Sequence, residues 1–297
     1  VRAIGTANLQ GLTTSQIAGL SATQLGVMTS TQVQALTATQ VPALNLLNVG
    51  TSNIGSISAT QARILTSAQL NAASANTSVF QAIGTSNIKA LQDGVVGGLS
   101  STALTNLAST QVKALTALQI KELSTTQLGQ LSSTQVGYLD TVQATALKAD
   151  QIASLESSRL QALGTSTIAA FNANQISALT SAQINQLTTA QIRAIDSTDL
   201  QSLATDRISG LNTTQLTSFS TPQLQALNAA QVKALTLANL GTSQVVNLSS
   251  VQANALTSTQ LNALATASTA VLKAIETTDV AALDSKAIAG MTTTAFN

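Results

Sequence analysis

The chain repeats itself every eight residues, and that period limits what it can fold into more than any other feature. Between residues 83 and 235, twenty successive positions spaced by eight are apolar, beginning Ile83, Leu91, Leu99 and ending Leu227, Leu235. With this anchor as position 1, position 6 is Ile, Leu or Val in 19 of the 20 units, Ala144 being the exception. Position 5 is Gln in 12 of them, and position 2 is Ser, Thr, Asn or Asp in 13. The consensus is L-[ST]-x-x-Q-[ILV]-x-[AG], as in Leu179-Thr180-Ser181-Ala182-Gln183-Ile184. A fixed short period is the signature of a repeat architecture, in which each unit buries its apolar side only against its neighbours.

The same unit occupies residues 4–44, 49–73, 240–264 and 267–291, so the expected organisation is one continuous octad array over residues 1–297. Its register slips near residues 45–49, 74–83, 236–240 and 265–267. Three of those slips are steps of five or three residues, the steps already made between positions 1 and 6, so the apolar contacts survive them. The slip between Ala73 and Ile83 adds two residues and reads as a bulged loop.

A continuous helix cannot use this pattern. At 3.6 residues per turn an eight-residue repeat advances about 80° around the axis each time, so the apolar stripe would wind around every side. The chain must therefore turn within each unit. Ser or Thr at position 2 with Gln at position 5 is the capping-box pattern that starts a helix. The expectation is an all-α, elongated solenoid of very short helices, one per octad, running from position 3 to about position 8. Such helices are far too short to stand alone and depend on stacking. A β-solenoid with one strand per octad is the alternative, favoured by the Thr, Val and Ile content. The number of octads per superhelical turn is open.

Charge placement supports the helical reading. Ten of the eleven acids fall at positions 2 to 5, and eight of the twelve bases, Arg2, Arg63, Lys89, Lys113, Lys121, Arg193, Lys233 and Lys273, fall at position 7. Acids in a first turn and bases in a last turn complement a helix dipole, and position 7 is marked as solvent-facing.

The inventory excludes several functions. With no His and no Cys, the chain has no His/Cys metal centre, no Ser-His-Asp or Cys-His nucleophile and no disulfide. A formal charge of +1 from scattered charges does not suit nucleic acid, and no run of ~18 apolar residues offers a membrane span. The chain opens with neither Met nor a signal segment, as a mature chain or a fragment would.

The carboxylate pairs Asp196 with Asp199 and Glu276 with Asp279 have i, i+3 spacing, but they sit at positions 2 and 5 and read as acidic capping boxes. Gly94, Gly97 and Gly98 match no phosphate-loop motif and read as a deformed octad. Tyr138, Phe80, Phe171, Phe219 and Phe296 are the only aromatics and form no stacking platform; Phe171 and Phe219 are anchors. The Ser and Thr rows at positions 2 to 4 could order water or ice or pack against a copy, but read first as caps and small soluble positions. Sequons at Asn76, Asn212 and Asn247 are unsurprising in so Ser/Thr/Asn-rich a chain. No catalytic, cofactor or metal residue is expected, and the chain reads as a non-enzyme.

The units Leu12-Thr13-Thr14-Ser15-Gln16-Ile17, Leu36-Thr37-Ala38-Thr39-Gln40-Val41, Leu115-Thr116-Ala117-Leu118-Gln119-Ile120 and Leu187-Thr188-Thr189-Ala190-Gln191-Ile192 resemble the L-T-x-x-Q-[IV] tracts of very large secreted or surface-exposed Gram-negative proteins, adhesin-like or filament-forming. The resemblance spans nearly the whole chain. It implies an extracellular or cell-surface location and a role as structural subunit of a filament, sheath or adhesin stalk, and it carries no site residues. L-T-x-x-Q is also similar to an element of Spy-like periplasmic chaperones, which bear it sparsely on longer helices. The expected partners are copies of the chain itself, end to end or side by side, with the cell surface or glycans second. The first and last anchors, Ile4 and Met291, lie within one octad of the termini, with no capping sequence beside them. Ice or polysaccharide binding on the same scaffold is the alternative function.

Overall fold

Each octad makes one short helix and one extended corner. In the unit of Leu115, Thr116 is an extended N-cap (φ −76°, ψ 160°) and the helix Ala117–Glu122 follows, six residues long. The next anchor, Leu123, is extended (φ −63°, ψ 134°), as is the following cap, Ser124 (φ −69°, ψ 162°). Two consecutive extended residues thus re-aim the chain here, as they do at Leu155 and Glu156 and at Ile195 and Asp196. Both conformations lie in the ordinary β region, so the corner needs no glycine; among the described residues the only positive φ is at Gly50.

The computed structural model describes residues 1–275 and 277–296. Those residues form 35 short α-helices and two 3-10 turns, with no strand among them. The chain is an all-α repeat solenoid, and the β form is set aside. Its contacts gather into two compact units, Val1–Leu155 and Glu156–Asn297.

In the first unit the helix Asp93–Gly97 packs on Ala117–Glu122, and Thr85–Ala90 on Ser109–Ala114. In the second, Thr165–Ala169 packs on Thr189–Ala194, and Ser197–Leu200 on Thr221–Ala226. Each helix therefore lies against the third one along the chain. Positions 1 and 6 supply the core throughout: Ile88, Leu91, Ile120, Leu123, Ile192, Ile195, Leu224 and Leu227 are all buried. A fully buried Leu or Ile contributes about 1.5–3 kcal/mol, and this is what holds helices of four to six residues that have no stability of their own. The eight position-7 bases are all exposed, as their placement predicts.

Register slips are absorbed locally. Near residue 45 the helices Leu46–Val49 and Thr51–Ile54 are separated by Gly50 alone, at φ 81° and ψ 159°, a conformation open in practice only to glycine. Near 236 the unit shrinks to the 3-10 turn Leu237–Asn239, and near 265 one helix, Ser258–Ala267, runs ten residues straight through. The two residues added after Ala73 do not form a bulged loop. The helix Ser67–Ala73 extends to seven residues and a short turn leads to the Asn76 cap, which bonds the Ser78 and Val79 amides.

Candidate functional site

The most conspicuous chemistry is a row of buried glutamines. A helix of six residues leaves nearly all its backbone groups without intrahelical partners, because the first four N–H and last four C=O groups of any helix are orphans. Gln119 meets both needs with one carboxamide. Its Oε1 accepts the Thr116 N–H at 2.8 Å, and the Thr116 hydroxyl accepts the Gln119 N–H at 3.1 Å, closing the capping box. Its Nε2 donates to the carbonyls of Ile88 at 3.0 Å and Leu91 at 2.8 Å, at the C-terminal end of a helix one superhelical turn earlier. The side chain is 0% exposed.

The same contact recurs in both units: Gln135 to Leu104 and Leu107, Gln143 to Val112 and Leu115, Gln191 to Leu160 and Leu163, Gln231 to Leu200 and Leu203. In these four the acceptors are positions 6 and 1, lying 31 and 28 residues back, whereas Gln127 takes the position-7 carbonyl of Gly97 together with that of Leu99. Where a five-residue slip intervenes, the separations become 28 and 25, as for Gln61 to Val33 and Leu36 and for Gln252 to Leu224 and Leu227. Across the two-residue addition, Asn87 at position 5 reaches Ile57 30 residues back. The acceptor positions stay fixed while the separation follows the insertion, so the amide row defines the register. One superhelical turn takes between three and four octads, and each glutamine bridges the joint between two units below it.

This second role of position 5 escapes a reading by motif. The available signal is that none of the twenty regular units has Glu at position 5, although a capping box accepts Glu as well as Gln. Only the amide carries the donor that the carbonyls require. Ala108 and Lys148 illustrate the division of labour: their side chains offer no acceptor, yet Gln111 and Gln151 still take their backbone N–H groups at 3.0 and 2.8 Å.

Asp196 and Asp199 sit together at one helix start, where Asp196 alone is the cap. Asp196 is an N-cap whose Oδ1 accepts the Thr198 N–H at 2.8 Å and hydroxyl at 2.6 Å, which holds its pKa below the ordinary value. Asp199 takes the glutamine position; partial burial, and then the neighbouring Asp196 charge, push its pKa up. Both belong to one helix start, so they do not face each other across a cleft as paired catalytic carboxyls do. Glu276 lies outside the described residues, and Asp279 is buried in the first turn of Thr277–Ala282. Elsewhere at position 5, Arg207 donates through Nε to the Leu179 carbonyl, 28 residues back, and Arg159 pairs with the Glu156 cap.

Gly98 is a close-approach glycine: a Cβ there would sit 2.8 Å from the Ser67 side chain. Phe80, Phe171 and Phe219 are buried core residues, and the Lys113 ammonium lies 5.0 Å from the centre of the Tyr138 ring. Many position-2 hydroxyls, among them Thr13, Ser58, Ser132, Thr180 and Ser249, accept backbone amides. Three open grooves each include a position-7 cation and at least two hydroxyl side chains. Arg193 faces Ser220, Thr221, Ser243 and Asn247 across about 320 Å³, Arg63 faces Thr66, Ser67 and Gln92 across about 440 Å³, and Lys233 faces Thr257, Ser258 and Asp284 across about 490 Å³. A fourth cavity, about 340 Å³, is apolar and lined by Leu272, Ile275, Val280, Leu283, Ile288 and Met291. No helix among the described residues is long and apolar enough to cross a membrane, and they hold no group of three or more His, Cys, Asp or Glu able to bind a metal.

The ALTTAQ repeat family model matches residues 1–38 and 152–189. The chain is a tandem-repeat protein. Both segments carry the L-[ST]-x-x-Q-[IV] unit, at Leu12 and Leu179 for example. No curated protein matches the sequence. Among solved structures, a leucine-rich repeat-containing protein, LegL7 of Legionella pneumophila, aligns over 91% of this chain and 89% of its own at 12% identity, with a TM-score of 0.21.

Proposed function

We propose that this repeat protein is a structural subunit of an extracellular bacterial filament, sheath or adhesin stalk, self-associating through its repeat surfaces. The supporting observation is the uniformity of the amide row: one buried contact, repeated in both units, joins each turn to the one before. Such a scaffold is mechanical by construction, since every turn is both floor and ceiling for its neighbours. We read a chain without His or Cys, in which Asp140, Asp196 and Asp284 serve as helix caps, as non-catalytic. Negative-stain microscopy of the purified chain at high concentration should show long thin filaments; a monodisperse monomer under those conditions overturns the reading. Antibody labelling of intact producing cells tests the surface location.

A second reading, a polysaccharide- or ice-binding surface, is favoured by the three grooves that set a position-7 cation against hydroxyl and amide groups. Glycan-array binding or thermal hysteresis would support it, and null results in both remove it.

A further inference from the structure

Position 7 has a use inside this fold that three stacked cations do not serve. Where the residue there is an amide, its side chain can tie up to the helix end of the next turn: Gln10 donates to the Ala35 carbonyl at 2.9 Å, Asn71 to that of Gly98 at 3.1 Å and Asn262 to that of Gly290 at 2.9 Å. Arg63, Lys89 and Lys113 hold the same position. They are exposed, and among the described residues their side chains make no hydrogen bond and no ion pair. A helix dipole favours a base at each of these helix ends, but it does not require the bases to line up.

They do line up. Arg63 follows the helix Ala59–Ala62, Lys89 lies in the last turn of Thr85–Ala90 and Lys113 in that of Ser109–Ala114. The first of these helices packs on the second and the second on the third, all within the first unit. Packed helices lie about 8–10 Å apart, so the cations stand in single file, one charge per turn at about that interval. At one end of the file Lys113 rests against the ring of Tyr138, the chain's one tyrosine, 5.0 Å from its centre, a contact that steadies a long side chain. Asp93, which opens the helix after Lys89, is the carboxylate nearest the file in sequence and pairs with none of the three. Beside Arg63, the groove of about 440 Å³ adds the Ser67 hydroxyl and the Gln92 amide, neither of which bonds within the described residues.

An uncompensated charge on each turn, flanked by free hydroxyl and amide groups, suits a linear polymer whose acids are well separated and whose remaining surface is hydroxyl. Duplex DNA, with a charge about every 1.7 Å, is far too dense for it, and three cations fall short of the roughly four to eight that mark a lipid-binding cluster. We propose that the file binds a linear acidic polysaccharide bearing one carboxylate per disaccharide, with successive acids meeting Arg63, Lys89 and Lys113 and the intervening sugar hydroxyls meeting Ser67 and Gln92. Two extended pyranose rings span about one turn of the solenoid, so charge meets charge along the file. The inference rests on the polysaccharide reading above and names its ligand class.

Isothermal titration calorimetry with hyaluronate tests it, at an ionic strength of about 0.15 M, where charges more than about 8 Å away are largely screened. Arg63→Gln with Lys89→Gln and Lys113→Gln should bind roughly tenfold more weakly, as the loss of three exposed charge pairs implies. Glutamine is native to position 7 at Gln10, so the fold accommodates it, and circular dichroism checks this. Lys121→Gln with Arg193→Gln and Lys233→Gln removes as many charges from outside the file and should change the affinity by less than about twofold. Equal losses in the two variants, or no binding of hyaluronate by the unaltered chain, overturn the proposal. Single-stranded DNA or phosphatidylglycerol vesicles bound as tightly as hyaluronate overturn it too. If neutral dextran binds and hyaluronate does not, the ligand class is wrong and the polysaccharide reading stands; a chain that binds neither, and no glycan on an array, fails both.

Discussion

Gln119 shows how much one side chain can be asked to do. Its amide stands in for the hydrogen bonds that a longer helix would make for itself, and leaving a buried polar group unpaired costs about 1–3 kcal/mol. Gln119→Glu should lower unfolding free energy by roughly 2–4 kcal/mol near neutral pH, since it buries a carboxylate against two carbonyl oxygens; chemical denaturation followed by circular dichroism measures it. Asp199 is the natural counterexample. Its raised pKa means that the folded chain favours the protonated form, so its contribution to stability is full below about pH 4, the unfolded value, and is lost as pH rises through the folded pKa. Asp196, with its lowered pKa, acts in the opposite sense, and its contribution is lost as pH falls through the folded value. Asp199→Gln restores the consensus amide, with Ile168 and Phe171 as the acceptors its register assigns. It should raise the melting temperature, by more at pH 7 than at pH 4. The cap positions, the anchors and the polarity of the charges were all legible in the sequence. The amide's second partner was not, because it lies about 28 residues away and no local pattern encodes it.

Helix by helix, the capping box is the unit of local specification. Thr116 accepts the N3 amide of its helix, so Thr116→Ala should cost about 1 kcal/mol. Ala108 begins an equivalent helix with only the glutamine half of the box. Ala108→Ser should therefore stabilise by about 0.5–1 kcal/mol, and opposite shifts in thermal midpoint for the two variants would confirm that caps add to the stacking energy. The slips show where local reading stops. The extra two residues after Ala73 suggested a loop, but the helix Ser67–Ala73 took one of them, since adding to an existing turn is easier than looping out of a packed layer. The glycine cluster read as a deformed octad, but what calls for glycine at Gly98 is the close approach of Ser67, 31 residues away.

Across each packed unit, stability depends on keeping positions 1 and 6 beneath position 5. Deleting residues 123–130, one whole octad, exchanges each acceptor pair for an equivalent pair and should leave cooperative unfolding intact. Deleting residues 127–130 instead sets position 5 over the wrong carbonyls and should abolish it. Calorimetry of both deletions distinguishes a register held by the amide row from nonspecific stacking of apolar helices. The sequence by itself determined the octad, the break in every unit and the start of each helix, because these follow from apolar spacing and contacts within four residues. Only the tertiary structure decided that a turn takes between three and four octads and that glutamines such as Gln119 and Gln231 tie one turn to the last. Those outcomes depend on how successive corners sum in space, which fixes the carbonyls that come within reach of an amide.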